Sequence, residues 1–313
     1  MTVRYFDWRD LPDLHRSRAD TLFLDSALLY TRGALQIFGA LLASVFPHVG
    51  IHTAVVPQKG LPSLFGQLIH DSTEPAARLS FLAPLSALPN PRLGLLLDFL
   101  MQQAGASGAL RVLAEVDERT PAFEGLRENG FAVYTRQQVW RLPEFAESKQ
   151  AMQHWRVASG RDVFAIRTLY HNLVPALVQQ VEWLSLNAPR GLVFYQQDEL
   201  LAYVALKYGI YGIWAQPYLH PNVDVAAINL FSLLQNLPSR HNRPVYVCVS
   251  AYQSWMGAVL EDFGALAGPR QALMARHLAI QQRLARNLTL PELQNGQTET
   301  LTWLETPAER RIR

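Results

Sequence analysis

The sequence contains an internal repeat, which constrains the fold more than any other feature because both copies must build the same structure. Three short landmarks recur in the same order. They are Arg4–Asp10 and Arg156–Asp162 (RYFDWRD and RVASGRD), Pro89-Asn90 and Pro221-Asn222, and Arg136–Val139 and Arg270–Leu273. The landmarks lie 152, 132 and 134 residues apart, so the second copy lacks roughly twenty residues in its first third. The repeat predicts two copies of one domain.

Hydrophobic periodicity and turn residues give the same order of elements twice, βααβββαβαβ. The first copy has predicted strands at 2–7, 51–57, 63–71, 77–83, 110–116 and 131–142, and helices at 11–31, 34–46, 92–104 and 121–129. The second has predicted strands at 153–158, 191–196, 200–208, 210–216, 244–250 and 270–278, and helices at 161–173, 175–184, 224–236 and 252–263. We predict domains at 1–142 and 152–280, a linker at 143–151, and a C-terminal helix or partly disordered tail at 281–313.

Composition narrows the classes of function. The 313 residues, of which 49% are hydrophobic and 17% charged, suffice for two domains that each bury a core. A formal net charge of +2 without a Lys/Arg run disfavours nucleic acid as a partner. The most apolar segment, 34–46, is shorter than the ~20 residues of a membrane-spanning helix, and the N-terminus has no apolar secretory region. No membrane partner is predicted.

Cysteine and histidine usage exclude further chemistries. The one cysteine, Cys248, lies in the apolar run PVYVCVS, where a buried structural thiol is expected and a reactive nucleophile is the alternative. A single cysteine forms no internal disulfide, which suits a reducing compartment and predicts a cytoplasmic protein. The sequence contains neither an HExxH zinc motif nor a G-x-S-x-G nucleophile motif, so no metal site is predicted.

Two local strings carry a resemblance to a known superfamily. Ala122–Phe131 reads AFEGLRENGF and is followed by the strand AVYTRQQVW; Met256–Gly264 repeats the pattern as MGAVLEDFG. With the order of elements, these strings resemble the GNAT acetyltransferase superfamily. The resemblance implies an α+β fold of two tandem GNAT-like domains, each a mixed, mostly antiparallel sheet flanked by helices. It also implies that strands four and five splay apart, that acetyl-CoA or another acyl-CoA lies in the gap as co-substrate, and that an amine attacks the thioester.

The superfamily's pyrophosphate loop is altered in both copies. Such loops use glycines because the backbone must approach the phosphates closely at a helix N-terminus. In the second copy, Asp224, Ala227 and Asn229 stand where Arg, Gly and Gly/Ala are expected, and Asp224 suits a helix N-cap instead. In the first copy, Arg92 matches the Arg/Gln position, while Leu95 and Leu97 take the glycine positions. The resemblance implies a cofactor site, if either copy has one, at Leu82, Arg92, Leu93 and Gly94, with a backbone N–H near Leu82 polarising the thioester carbonyl.

The catalytic positions are also changed. The superfamily's general-acid tyrosine is replaced by Leu126 and by Leu260, which donate no proton. Glu115 and Asp117 lie on one face at the end of the predicted strand 110–116 and are the candidate general bases; the alternative is a pair of exposed carboxylates. Tyr134 and the tyrosines at 246 and 252 lie nearby in sequence, with a core role as the alternative to an acid.

Two functions remain open. The resemblance implies an acyl-CoA-dependent N-acyltransferase, an acetyltransferase, that acts on a small-molecule or protein amine. The alternative is a non-catalytic binding or interaction protein on the same fold, because the glycine loop and the tyrosine are lost in both copies. The oligomeric state is left open by the sequence.

Overall fold

A mixed sheet of thirteen strands runs through the computed structural model of the chain. The structure describes residues 2–33, 50–58, 62–88, 91–143, 155–182, 184, 189–223, 229–235, 237 and 240–278. All of them belong to the compact unit Met1–Ile280. The predicted tail at 281–313, the predicted linker beyond residue 143 and the predicted helix at 34–46 lie outside the described residues.

The first half of the chain contributes seven strands and four described helices. The strands are β1 Arg4–Tyr5, β2 Leu22–Phe23, β3 Ile51–Val56, β4 Leu64–Ile69, β5 Ala76–Ala83, β6 Arg111–Asp117 and β7 Ala132–Arg141. The helices are α1 Leu11–Arg16, α2 Ser26–Arg32, α3 Leu93–Ala106 and α4 Pro121–Glu128.

The second half contributes six strands and four described helices. The strands are β8 Trp155–Val157, β9 Gly191–Gln196, β10 Glu199–Tyr208, β11 Ile213–Leu219, β12 Val245–Ser250 and β13 Leu266–His277. The helices are α5 Val163–Leu173, α6 Ala176–Val181, α7 Leu230–Gln235 and α8 Met256–Asp262.

The strand order is β1-β3-β4-β5-β6-β13-β7-β12-β11-β10-β9-β8, and β2 pairs with β5 off this path. The pairs β5–β6 and β11–β12 are parallel, whereas the others are antiparallel. The order reads the same from both ends when β1 is matched with β8 and β3–β7 are matched with β9–β13. The mixed sheet with flanking helices is the α+β class predicted from the sequence.

The last strands of the two halves are exchanged at the centre of the sheet. β13 lies between β6 and β7, and β7 lies between β13 and β12. The register places Arg136 opposite Ala272 and Arg270 opposite Gln138, so residues that are 134 apart occupy equivalent places about a local two-fold axis. A strand of each half therefore completes the hydrogen bonding of the other. The division into domains 1–142 and 152–280 stays a prediction from the sequence.

Helices cover both faces of the sheet. On one face, α3 buries Leu93, Leu97 and Leu100 at the i, i+4, i+7 spacing of an apolar stripe, and α4 adds Leu126. In the second half α7 and α8 pack on β11, β12 and the end of β7. On the opposite face, Leu14 of α1 packs in an aromatic cluster of the first half, and α5 and α6 pack on β9–β11. The sheet is thus the middle of three layers.

The predicted helix at 11–31 is wrong in its middle. The chain forms α1, then the two-residue strand β2, then α2. Asp25 adopts an extended conformation and its side chain caps α2 by accepting a hydrogen bond from the Leu28 N–H at 2.9 Å. Helix periodicity does not indicate this break, because the apolar residues of β2 fit a helix as well as a strand and because the pairing with β5 is long-range.

The first landmark of the repeat forms an ion pair in each half. Arg4 binds Asp10 through two bonds of 2.7 and 2.6 Å, and Arg156 binds the buried Asp162 in the same two-point manner. Each aspartate also accepts the N–H three residues before it, at 2.9 and 2.8 Å, which closes a one-turn 3-10 helix. The pair ties β1 or β8 to the first helix of its half.

Candidate functional site

The gap between β5 and β6 is the place that the resemblance to the GNAT superfamily implies for an acyl-CoA. The two strands pair in parallel only over Ala76–Arg78 and Arg111–Leu113, after which they separate. Leu82, the predicted position of the carbonyl-polarising N–H, lies on the separated part of β5 and is fully buried.

The chain's own segment Leu22–Asp25 fills this gap. β2 pairs antiparallel with β5, with Leu22 opposite Leu82. The Leu24 N–H donates to the Ser80 carbonyl at 2.9 Å, and the Leu24 carbonyl accepts from the Glu115 N–H at 2.9 Å. Because bonded positions recur every second residue in such a ladder, the Leu82 N–H donates to the Leu22 carbonyl. The backbone of the first-half gap is therefore bridged strand to strand by an internal peptide.

Glu115 lies at the centre of a buried polar cluster beside this segment. Its Oε2 accepts from the Ser26 N–H at 2.9 Å and from Gln137 Nε2 at 2.8 Å, and Arg78 lies 3.8 Å from Oε1. Gln271 of β13 accepts from the Ser26 hydroxyl at 2.9 Å and from Gln137 at 3.1 Å. The cluster thus joins the start of α2 to three central strands.

The two predicted general bases occupy different environments. Burial, and then the charge of Asp25, raise the pKa of the Glu115 carboxyl, while Arg78 opposes the shift. Asp117 is hydrogen-bonded by the Arg119 side chain at 2.8 and 3.1 Å, and this interaction lowers the pKa of Asp117. Glu115 has the raised pKa of a base, but its Oε2 is occupied by two internal donors, and Asp117 is a salt-bridged residue at the end of β6.

We expect Glu115→Ala to cost about 3 kcal/mol of unfolding free energy, because it leaves buried donors and Arg78 without their acceptor. Glu115→Gln keeps an acceptor oxygen and is expected to stay within about 1 kcal/mol of the parent chain.

The folded-state pKa of Glu115 lies above its unfolded value near 4.3, so its stabilising contribution is complete below that pH and falls as pH rises through the folded pKa. In urea unfolding, the unfolding free energy of the Gln variant relative to the parent chain should therefore be higher at pH 7 than at pH 4. The opposite trend would contradict this assignment.

The predicted phosphate contacts lie at the start of α3. Arg92 is the N-cap residue, half-buried, and Leu93 is buried in the core. A Cβ added to Gly94 would approach the Asn129 Oδ1 to 2.7 Å, and one added to Gly125 would approach Leu93 Cδ2 to 2.9 Å. These two glycines let α3 and the C-terminal end of α4 pack closely, which accounts for Gly94 without a phosphate. Of the residues at the predicted glycine positions, Leu97 is buried in the core and Leu95 is exposed.

The second gap, between β11 and β12, is closed by a side chain. The parallel pairing covers Ile213–Ala215 and Val245–Val247. Beyond it, the buried Gln253 carboxamide donates to the Pro217 carbonyl at 2.9 Å and accepts from the Leu219 N–H at 3.1 Å, in the amide orientation that satisfies both atoms. Leu219 precedes His220-Pro221 as Leu82 precedes Ala83-Pro84. Both candidate polarising N–H groups therefore have internal acceptors.

Residues 224–228, which include the predicted positions Asp224 and Ala227, lie outside the described residues, and Asn229 has a φ of 51°.

Tyr134, Tyr246 and Tyr252 are partly buried, and Cys248 is buried. Leu126 and Leu260 are fully buried. The Tyr134 hydroxyl donates to Glu182 at 2.8 Å, and burial raises the pKa of Tyr134. Burial raises the pKa of the Cys248 thiol as well, and the thiol donates to Gln137 at 3.2 Å, so it is the buried structural thiol of the first alternative.

A cleft that the sequence analysis did not predict lies over the central strands. Its volume is about 230 Å³. The lining residues are Arg136, Gln137, Gln138, Trp140, Val249, Ser250, Ala251, Ser254, Gly257 and Arg270. The signal for it in the sequence is the Arg-Gln pair that recurs at 136 and 270, which indicates duplication but not a cleft. Among the described residues, no cluster of three or more His, Cys, Asp or Glu side chains is suited to a metal ion, and no helix is long and apolar enough to cross a membrane.

Known structures share this arrangement of strands and helices. No family model and no curated protein matches the chain by sequence. A GCN5-related N-acetyltransferase from Sphaerobacter thermophilus is 12% identical with a TM-score of 0.54 over 88% of this chain and 95% of that one. An assumed acetyltransferase from Pyrococcus horikoshii is 12% identical with a TM-score of 0.51 over 89% of each chain. The chain therefore has the fold of the GCN5-related N-acetyltransferase (GNAT) superfamily.

Proposed function

We propose that the chain is a GNAT-fold binding protein rather than an acyl-CoA-dependent acyltransferase. The observation that carries this proposal is the internal pairing of both candidate polarising N–H groups. Leu82 donates into the β2 ladder, and Leu219 donates to the Gln253 carboxamide. A thioester carbonyl needs such a donor to stabilise the charge that develops when an amine attacks. An N–H that already has a buried acceptor supplies this only if the internal bond breaks.

The remaining parts of the acyl-transfer machinery support the same proposal. A pantetheine arm in the first-half gap would have to displace Leu24, which is buried and bonded on both sides. The tyrosine that would protonate the leaving thiolate is a buried leucine in both halves. Glu115, the better of the two base candidates, already accepts two hydrogen bonds on one oxygen.

Acyl transfer by the second half is the alternative function. It is favoured by one difference between the halves: the first gap is closed by backbone pairing, whereas the second is closed by the Gln253 side chain, which can rotate away. In that case acetyl-CoA or another acyl-CoA would be the co-substrate and an amine the acceptor. The division into domains 1–142 and 152–280, and a reducing cytoplasmic location inferred from the lone cysteine, belong to the proposal as well.

Calorimetric titration with acetyl-CoA separates the two functions. For the parent chain and for Gln253→Ala we expect no heat and no shift of the unfolding midpoint at millimolar acetyl-CoA. Micromolar binding that tightens in the Ala variant, together with release of CoA thiol in the presence of amines, would instead establish acyl transfer in the second half. The matched control is Gln196→Ala, an exposed residue at the end of β9.

A further inference from the structure

We propose that the cleft over the central strands, defined by its lining residues above, binds a small organic dianion through Arg136 and Arg270. This inference names a ligand class for the proposed binding role. It concerns a place on the far side of β12 from the β11–β12 gap.

The strand register brings the two arginines to one face. Arg136 lies opposite Ala272 and Arg270 lies opposite Gln138 in the antiparallel pair β7–β13. Directly opposed residues share a face, so the two arginines are diagonal neighbours, about 7–8 Å apart at the backbone. Guanidinium groups at this separation can converge on one ligand. Arg270 presents the fork of donors that matches a carboxylate or phosphate, and Arg136, whose Nε and Nη2 face Glu118, retains its Nη1 donors.

The positive charge of the two arginines is not balanced by other lining residues of the cleft. No acidic side chain is among its lining residues. Glu118 pairs with Arg136, at 2.9 Å from Nε and 2.8 Å from Nη2. Arg270 is exposed and makes no hydrogen bond or ion pair with the described residues. One carboxylate therefore faces two adjacent cations, whose mutual repulsion a bound dianion would relieve.

Trp140 adds an aromatic side chain to the cleft. The Trp140 side chain lines the cleft and its residue is 6% exposed, yet its indole N–H has no hydrogen-bond partner among the described residues. Ser254 and Val249 also line the cleft and add a hydroxyl and an apolar side chain.

The dimensions restrict the ligand further. A volume of about 230 Å³ is below the ~300–1,000 Å³ of sites for drug-sized molecules. It is too small for a whole coenzyme A, and it suits a short-chain dicarboxylate or a small phosphomonoester. Both carry two negative charges and present planar or tetrahedral oxyanions to the same two arginines.

The test uses the full chain with succinate and with inorganic phosphate as probes, followed by calorimetry and tryptophan fluorescence. We expect binding that weakens at least about tenfold in Arg270→Gln and falls with added salt. Arg161→Gln, an exposed arginine on the turn before α5, is the matched control and should bind as the parent does. Trp140→Phe should remove most of the fluorescence response, because Trp140 is the tryptophan among the lining residues of the cleft.

Each outcome decides the proposal. Preference for succinate or for phosphate identifies which dianion the cleft takes. No response to either probe at millimolar concentration, or equal binding by Arg270→Gln and the parent chain, overturns the proposal. Since the acetyl-CoA titration concerns the two gaps and not this cleft, failure here leaves the proposed binding role to be judged by that experiment alone.

Discussion

A chain that ends at Gly264 is expected to lose its cooperative fold, the largest effect foreseen for any single change. The truncation removes β13, which pairs on one side with β6 and on the other with β7. It also removes the buried side chains of Leu273 and Met274, each of which contributes about 1.5–3 kcal/mol by burial alone. With the two ladders added, the loss is comparable to the roughly 5–15 kcal/mol that stabilises a typical protein.

A chain that ends at Ile280 is the control for this experiment, since it keeps every described residue. Circular dichroism and urea unfolding should show a cooperative transition for this chain and none for the shorter one. A separate first-half transition that survives in the chain ending at Gly264 would show that β13 is dispensable to β6, and would contradict the interpretation of the exchanged strands.

Asp162→Ala is expected to destabilise the chain by about 3 kcal/mol, because it removes the shared acceptor of a network of charge-assisted hydrogen bonds. The Asp162 carboxylate is buried and accepts from Arg156, from the Ser159 N–H and hydroxyl at 2.8 and 2.9 Å, and from the Tyr195 hydroxyl at 2.9 Å. Asp10→Ala in the first half removes the equivalent arginine pair and one N–H bond, so it should cost less. Thermal and urea unfolding of the two variants provide the comparison.

The same carboxylate should make stability depend on acid. Arg156, first, and then the Ser159 and Tyr195 bonds lower the pKa of Asp162 below its ordinary value. A lowered folded pKa gives a contribution that is complete above the unfolded pKa near 3.9 and is lost as pH falls through the folded value. The difference between the parent chain and Asp162→Asn should therefore shrink on acidification below about pH 4. A difference that stays constant between pH 2 and pH 7 would show that the charge of Asp162 is not involved.

The elements of the central sheet were largely predictable because their signals are local. The predicted strand at 51–57 is observed as β3 at Ile51–Val56, and the predicted helix at 92–104 is observed as α3 at Leu93–Ala106. In these segments, apolar periodicity and burial agree, since one face of each packs on the core. The predicted strand at 210–216 lies later, at Ile213–Leu219, because the turn at Gly209–Gly212 extends further than its residues indicated.

The groups that close the gaps were not predictable by the same means. β2 owes its strand conformation to β5, about sixty residues further along the chain, and no periodicity in two residues reports such a partner. Gln253 is an ordinary polar residue in sequence, and its role depends on two backbone groups of β11. The arginines of the cleft meet only because β7 and β13 are adjacent, which the strings at 136 and 270 did not indicate.

The exchange of the final strands also has a consequence during synthesis. β6 is complete at Asp117, but its neighbour β13 begins only at Leu266. At about 10 residues per second, the ribosome needs about 15 s to deliver that neighbour. Through this interval the nascent first half presents an unpaired apolar edge, the type of surface on which chains aggregate and chaperones act. Expression yield should thus respond to translation speed over the second half.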